Sequence, residues 1–265
     1  MTSKRGRNDV QKGREKRPDP RRNAARGSVQ GDWLWGWHTV IAALENPRRE
    51  ALRTLLATEE RGRQITARLP ALAPRLTLSD PAGISRRLPA GAVHQGVALD
   101  VAPLEALTVD ELGADPFGVI LVLDQVTDPQ NVGGLFRSAA AFGARGVVLQ
   151  TRNAPALSGA LAKAAAGAID QTPFAEAVNL SRALETLAEL GWRTIGLAGE
   201  ASLDLQDALD GTPTAIVLGS EGEGLRRLVA EHCDVLARIP MPGGFESLNV
   251  GTAGAIALYE ATRRR

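Results

Sequence analysis

The run Gly118-Val119-Ile120-Leu121-Val122-Leu123-Asp124 is continuously apolar until its last residue, and Gln125-Val126-Thr127-Asp128-Pro129-Gln130-Asn131-Val132-Gly133-Gly134-Leu135-Phe136-Arg137-Ser138 follows it. An unbroken apolar run of strand length belongs to a strand buried on both faces, as in parallel sheets. The polar turn after it offers Asp128 or Asn131 as the cap of a helix over residues 132–142. Residues 146–149 read as a strand again. Further strands are predicted at 193–197, 214–218 and 235–239, and helices at 180–190, 225–231 and 248–263. This alternation predicts an α/β fold, a largely parallel sheet covered by helices on both faces.

Upstream the texture is different. Trp33, Trp35 and Trp37 alternate in a short extended entry and are read as aromatic anchors packed against the first helix, with base stacking as the alternative. Val40, Ile41 and Leu44 follow helical spacing until Asn46-Pro47 stops them. A second helix is predicted over 48–61, with Leu52, Leu55 and Leu56 on one face, and a strand at 96–101. Residues 32–103 therefore read as a small α/β domain, 104–117 as a linker with several acids, and 118–265 as the larger domain. Arginines at 48, 49, 53, 61, 63, 86 and 87 form either an RNA-facing surface of the small domain or an ordinary solvated one.

Residues 1–31 carry ten Lys or Arg against Asp9, Glu15 and Asp19, a net +7, and too few apolar residues to bury a core. They read as a disordered basic tail suited to a polyanion, while the remaining chain is net −6. The lone Cys233 of the 265 residues excludes an internal disulfide and fits a reducing cytoplasm. His38, His94 and His232 are scattered without metal-ligand spacing, so no metal is expected, and His232 and Cys233 read as structural. The apolar runs fall far short of the ~20 residues of a membrane helix, so no membrane partner is expected.

Two more glycine-bearing turns follow predicted strands. Ile216-Val217-Leu218-Gly219-Ser220-Glu221-Gly222-Glu223-Gly224-Leu225 has neither the dinucleotide fingerprint nor a Walker lysine. Its glycines would let backbone groups approach a ligand, and a side chain at 219 would fill space that the ligand needs. Ile239-Pro240-Met241-Pro242-Gly243-Gly244-Phe245-Glu246-Ser247-Leu248-Asn249-Val250 leads into a small-residue helix opened by Ser247 or Asn249. In a parallel sheet all three turns converge on the carboxyl ends of the strands, where open α/β sheets hold their ligands.

Taken in order, D-P-x-N-x-G-x-x-x-R-S at 128–138, L-G-S-E-G-x-G at 218–224, and I-P-M at 239–241 followed by S-L-N-V at 247–250 resemble the SpoU or TrmH family. These are the SPOUT-class RNA ribose 2′-O-methyltransferases. Trp35-Gly36-Trp37-His38-Thr39-Val40 through His94-Gln95-Gly96-Val97 is similar to the family's amino-terminal L30e-like, RNA-binding domain. The resemblance implies a parallel sheet with a carboxyl-terminal trefoil knot, a homodimer, and S-adenosylmethionine held by backbone groups at Gly219, Ile239 and Leu248. It points to members that methylate a guanosine of 23S rRNA in the peptidyl-transferase region. A tRNA 2′-O-methyltransferase, or a non-catalytic RNA-binding assembly factor, are the alternatives.

The chemistry implied is in-line displacement, with a ribose 2′-hydroxyl attacking the sulfonium methyl and losing its proton. The resemblance nominates Arg137 to activate that hydroxyl. Because a guanidinium stays protonated at neutral pH, Arg137 is read as holding the adjacent phosphate and orienting the hydroxyl. Proton loss is then assisted by that phosphate or by a transiently neutral Arg137. Asn131, Ser247 and Asn249 would orient groups by hydrogen bonds, and Glu221 would pair with a cation or cap backbone donors.

Overall fold

The computed structural model describes residues 32–49, 52–152, 154–157, 159–244 and 247–263. The tail expected at 1–31 lies outside them. The first elements are β1 (Trp33–Trp35), α1 (Trp37–Glu45), β2 (Leu52–Ala57), α2 (Glu59–Arg68), β3 (Leu76–Leu78), α3 (Pro81–Ser85), β4 (Val97–Val101) and α4 (Val109–Gly113). There follow β5 (Val119–Leu123), α5 (Pro129–Ala141), β6 (Gly146–Gln150), α6 (Gly159–Ala165), α7 (Ala168–Gln171), β7 (Phe174–Ala177) and α8 (Leu180–Glu189). The chain continues through β8 (Arg193–Leu197), β9 (Leu203–Asp204), α9 (Leu205–Ala208), β10 (Thr214–Leu218), α10 (Arg227–Glu231), β11 (Val235–Arg238) and α11 (Val250–Arg263).

The larger sheet has seven strands in the order β7-β6-β5-β10-β8-β11-β9, and every pairing in it is parallel. Period-two burial shows why β5 is apolar throughout. Val119, Leu121 and Leu123 enter a core shared with α5, α6, α7, α9 and α11, while Ile120 and Val122 enter one shared with α4, α8 and α10. Asp128 caps α5 by accepting from Gln130 N (3.3 Å) and Asn131 N (3.2 Å), and Pro129 supplies the first helical position. The helix thus begins three residues before the predicted start.

The smaller sheet runs β1-β4-β2-β3, with β4 antiparallel to both neighbours and β2 parallel to β3. Here the helix predicted over 48–61 is corrected. Leu52, Leu55 and Leu56 do carry helical spacing, but the segment lies between β4 and β3 and buries Leu55, Leu56 and Ala57 as β2; α2 starts only at Glu59. Tertiary pairing overrides an ambiguous short apolar run. Trp35 is buried, though beside Leu56, Ile84 and Leu88 and not against the first helix as expected.

The stretch predicted to link two domains has structure of its own. A capping box starts α4, with Thr108 Oγ1 accepting from Glu111 N (3.1 Å) and Thr108 N donating to the Glu111 carboxylate (2.7 Å). Leu107 N donates to Phe174 O, covering the β7 edge, Leu112 is buried, and Trp192 Nε1 donates to Gly113 O at 2.9 Å. One continuous core joins the small sheet to the large, from Leu34, Val40 and Ile41 through Phe136, Leu161 and Ala165.

Across that junction Arg49 Nε meets Asp170 Oδ1 at 2.7 Å with both side chains only 3% exposed. Asn46 Nδ2 donates to the same carboxylate, and Arg49 Nη1 donates to Ala102 O. A buried pair of this kind is costly to break, by about 3–5 kcal/mol, because the survivor is left as an uncompensated charge. Arg49 is therefore a structural tie between the two sheets and does not belong to an RNA-facing surface.

Candidate functional site

The large sheet changes winding direction between β5 and β10, and parallel strands present all their carboxyl ends on one side of it. A ligand crevice belongs there. A cleft of about 910 Å³ opens at that edge, walled by the ends of β8 (Leu197 to Glu200), β10 (Leu218 to Leu225) and β11 (Arg238 to Met241) and by the start of α11 (Ser247 to Val250). Its size suits a nucleoside-sized ligand. Gly219, Glu221, Ile239, Ser247, Leu248 and Asn249 all line it.

The 219–225 turn forms the floor. Ser220 N donates to Gly224 O (3.1 Å) and Gly224 N to Ser220 O (3.0 Å), closing a tight loop in which Gly222 and Gly224 hold φ of +91° and +66°. Positive φ at both positions is the reason for glycine there. Gly219 is glycine for another reason, and this corrects the expectation that it clears space for a ligand. A Cβ at 219 would lie 2.1 Å from the Gly224 carbonyl carbon and 2.4 Å from Leu225 N, inside the protein's own backbone.

This loop is anchored from below. Asp124, fully buried at the end of β5, accepts from Arg226 N (2.9 Å) and Arg226 Nε (2.7 Å), and Arg226 Nη2 reaches Gln150 Oε1 at 3.4 Å. Sequence reading passed over this tie, since the two residues stand 102 positions apart. The signal available was an acid ending an apolar strand.

At the mouth of the cleft the three motif turns meet. Asn131 Nδ2 donates to Glu221 Oε1 at 2.9 Å, Asn249 Nδ2 donates to the same oxygen at 2.6 Å and to Asn131 Oδ1 at 3.0 Å, and Val250 N approaches Glu221 Oε1 at 3.4 Å. Asn249 also caps α11 by accepting from Thr252 N (3.2 Å). Glu221 thus takes the second of its two expected roles, capping a backbone donor, with two side-chain amides completing its partners. Gly254 lets α11 lie against α5, because a Cβ there would sit 2.2 Å from Leu135 Cδ2.

Arg137 is not part of this cluster. It lies on α5 six residues beyond Asn131, is exposed, and contributes nothing to the cleft wall of its own chain. Ser247 is exposed on the cleft rim. His94 Nδ1 accepts from Gly96 N and His232 pairs with Glu185 and Leu228 O, both in structural roles. Burial, with Asp234 and Asp124 nearby, pushes the Cys233 thiol up to about 12, so it is no nucleophile. Among the described residues no cluster of His, Cys, Asp or Glu could hold a metal, and no helix is long and apolar enough to cross a membrane.

Fold and cleft together define a parallel α/β ligand-binding protein whose site is assembled from strand-to-helix turns. The chain belongs to the SpoU rRNA Methylase family, whose pattern matches residues 118–259, and residues 33–107 match the RNA 2′-O ribose methyltransferase substrate-binding domain. It is 40% identical over 240 residues to the 23S rRNA (guanosine-2′-O-)-methyltransferase RlmB of Pseudomonas syringae pv. tomato, covering 88% of this chain and 95% of that protein. It is 38% identical over 243 residues to an uncharacterized tRNA/rRNA methyltransferase of Synechocystis sp., covering 88% of this chain but 63% of that longer one. An AdoMet-bound rRNA methyltransferase from Sinorhizobium meliloti superimposes with a TM-score of 0.75 at 25% identity, covering 89% of this chain and 88% of the other.

Proposed function

We propose that the protein is an S-adenosylmethionine-dependent methyltransferase that modifies the ribose 2′-hydroxyl of a guanosine in 23S rRNA. The observation that carries this reading is the hydrogen-bonded meeting of Asn131, Glu221 and Asn249, one from each family motif, beside the cleft. Likeness to RlmB over nearly its whole length favours rRNA over tRNA, as does a small domain matching the substrate-binding pattern. That small domain is read as L30e-like and the carboxyl-terminal chain as a trefoil knot, in a homodimer of the cytoplasm. Residues 32–103 and 118–265 are the two functional domains of the reading, joined by 104–117.

The residues present fit the cofactor. Leu218, Ile239, Met241 and Leu248 give the cleft an apolar lining, backbone groups of 219–224 and 239 give it hydrogen-bonding edges, and Glu200 and Glu223 supply negative charge toward a cationic ligand. S-adenosylmethionine, when bound, supplies an electrophilic methyl group on a sulfonium. Gly219, Ile239 and Leu248 position the nucleoside part through their backbone. Asn131 and Asn249, both held by Glu221, fix the mouth of the cleft, and Ser247 offers a hydroxyl at its rim.

Arg137 binds the phosphate beside the target ribose and orients the 2′-hydroxyl. Since it stands outside the cleft of its own chain, it serves a site completed by a second copy. The exposed Ile256 and Tyr259 of α11, which packs against α5, give such a dimer an apolar face. Calorimetry on the full chain is expected to show saturable binding of S-adenosylmethionine, competed by S-adenosylhomocysteine. A folded protein that binds neither would refute the reading.

A further inference from the structure

Two cations flank Gln95 where the small sheet meets α6, and among the described residues neither has an acidic partner. Lys163, on α6, donates to Gln95 Oε1 at 3.2 Å, and that oxygen also accepts from Trp37 N at 2.8 Å. Arg61, on α2, donates through Nε to Gln95 O at 3.1 Å and through Nη1 to Gln64, while its guanidinium lies 4.6 Å over the Trp37 ring.

The arrangement is built to keep them there. Gln95 is one of three non-glycine residues at positive φ among the described residues, +56°. Such strain persists only where the surroundings over-determine it. Gly36, at φ +90°, leaves the space in which the ammonium sits, since a Cβ there would be 2.3 Å from Lys163 Nζ. Burial pulls Lys163 below the ordinary lysine range, and no neighbouring acid offsets the loss of solvent. An ammonium has three donors, and Lys163 spends one on Gln95. Two desolvated or stacked cations tied to one residue call for an anion from outside.

We propose that Lys163, Arg61 and Gln95 form a site for a backbone phosphate of the substrate RNA at the seam between the small sheet and α6. The inference rests on the RNA reading above and extends it, because Lys163 lies outside the segment that matches the substrate-binding pattern. RNA held there touches both halves of the molecule at once. Gln95 provides no charge; it sets the spacing of the two cations, and the Trp37 ring steadies Arg61.

The test is the salt dependence of binding between the full chain and an in-vitro transcript of 23S rRNA, with a melting curve and S-adenosylmethionine calorimetry on every variant. Lys163→Met keeps the packing stem and removes the charge. It is expected to lower the slope of log K against log salt by about 0.7 to 0.9, the share of one phosphate contact, with melting and cofactor affinity unchanged. Arg61→Met on the α2 surface is expected to do the same, and Lys163→Arg to restore most of the slope. A wild-type slope in a folded Lys163→Met overturns the proposal. Should that variant fail to fold, a wild-type slope in Arg61→Met overturns it equally. A folded wild-type protein that does not bind the transcript at all refutes the RNA reading itself, and the site with it, whereas binding with no salt dependence overturns the site alone. Salt-dependent wild-type binding with unaltered slopes in the variants removes only the site.

Discussion

Arg137→Ala is expected to slow single-turnover methyl transfer about 100-fold or more, the scale of losing a positioned catalytic group, while S-adenosylmethionine affinity stays as in the wild type. The loss of rate follows from the proposed role of Arg137, and position dictates the unchanged affinity. The side chain is exposed on α5, beyond the turn that reaches Glu221, and absent from the cleft wall, so truncating it leaves the cofactor's surroundings intact. Nor does it support the fold, since the buried face of α5 is Val132, Leu135, Phe136 and Ala139. Arg137→Lys is expected to lose nearly as much. Lysine retains the charge but lacks the planar fork that holds a phosphate and a hydroxyl together. Methylation at the wild-type rate by Arg137→Ala would remove this residue from the chemistry. Loss of cofactor binding would make it part of the pocket.

Gly219→Val is expected to abolish cofactor binding at concentrations that saturate the wild type. The cause is the collision with Gly224 and Leu225: backbone cannot swing aside as a flexible side chain can, so the whole 219–225 floor must open. Gly222→Ala makes the instructive contrast. Among the described residues nothing lies within 4 Å of a Cβ there, and the burden is the φ of +91°, roughly 1–2 kcal/mol for a left-handed residue. Binding should weaken in Gly222→Ala and vanish in Gly219→Val, read by calorimetry alongside a melting curve. Wild-type affinity in a folded Gly219→Val would show that the loop does not form the cofactor's floor.

The large sheet was legible because a strand buried on both faces must be apolar throughout, and Val119 to Leu123 has no other economical reading. β2 was misread for the complementary reason. Leu52, Leu55 and Leu56 satisfy a helical stripe, and only pairing with β4 and β3 decides against it. At the site, the expectation that three turns converge followed from parallel topology, and the cluster of Asn131, Glu221 and Asn249 meets it. Who bonds to whom was not legible. Asn131 and Glu221 are 90 residues apart, Asp124 and Arg226 are 102, and Arg49 and Asp170 are 121. Contacts at such separation are products of the packed fold and leave no local pattern. Arg49 shows the resulting error: among neighbouring arginines it looks like one more surface cation, yet its burial is set by an acid on α7. Gly219 shows a subtler one, where glycine was rightly singled out and the crowding atoms belong to the protein's own turn.

Methyl transfer to a ribose hydroxyl leaves its signature in the product. The full chain is incubated with methyl-labelled S-adenosylmethionine and unmodified 23S rRNA, and the RNA is digested to nucleosides. Label is expected in 2′-O-methylguanosine alone. Label on a nucleobase, or no label in any nucleoside from a protein that binds both cofactor and RNA, would contradict it.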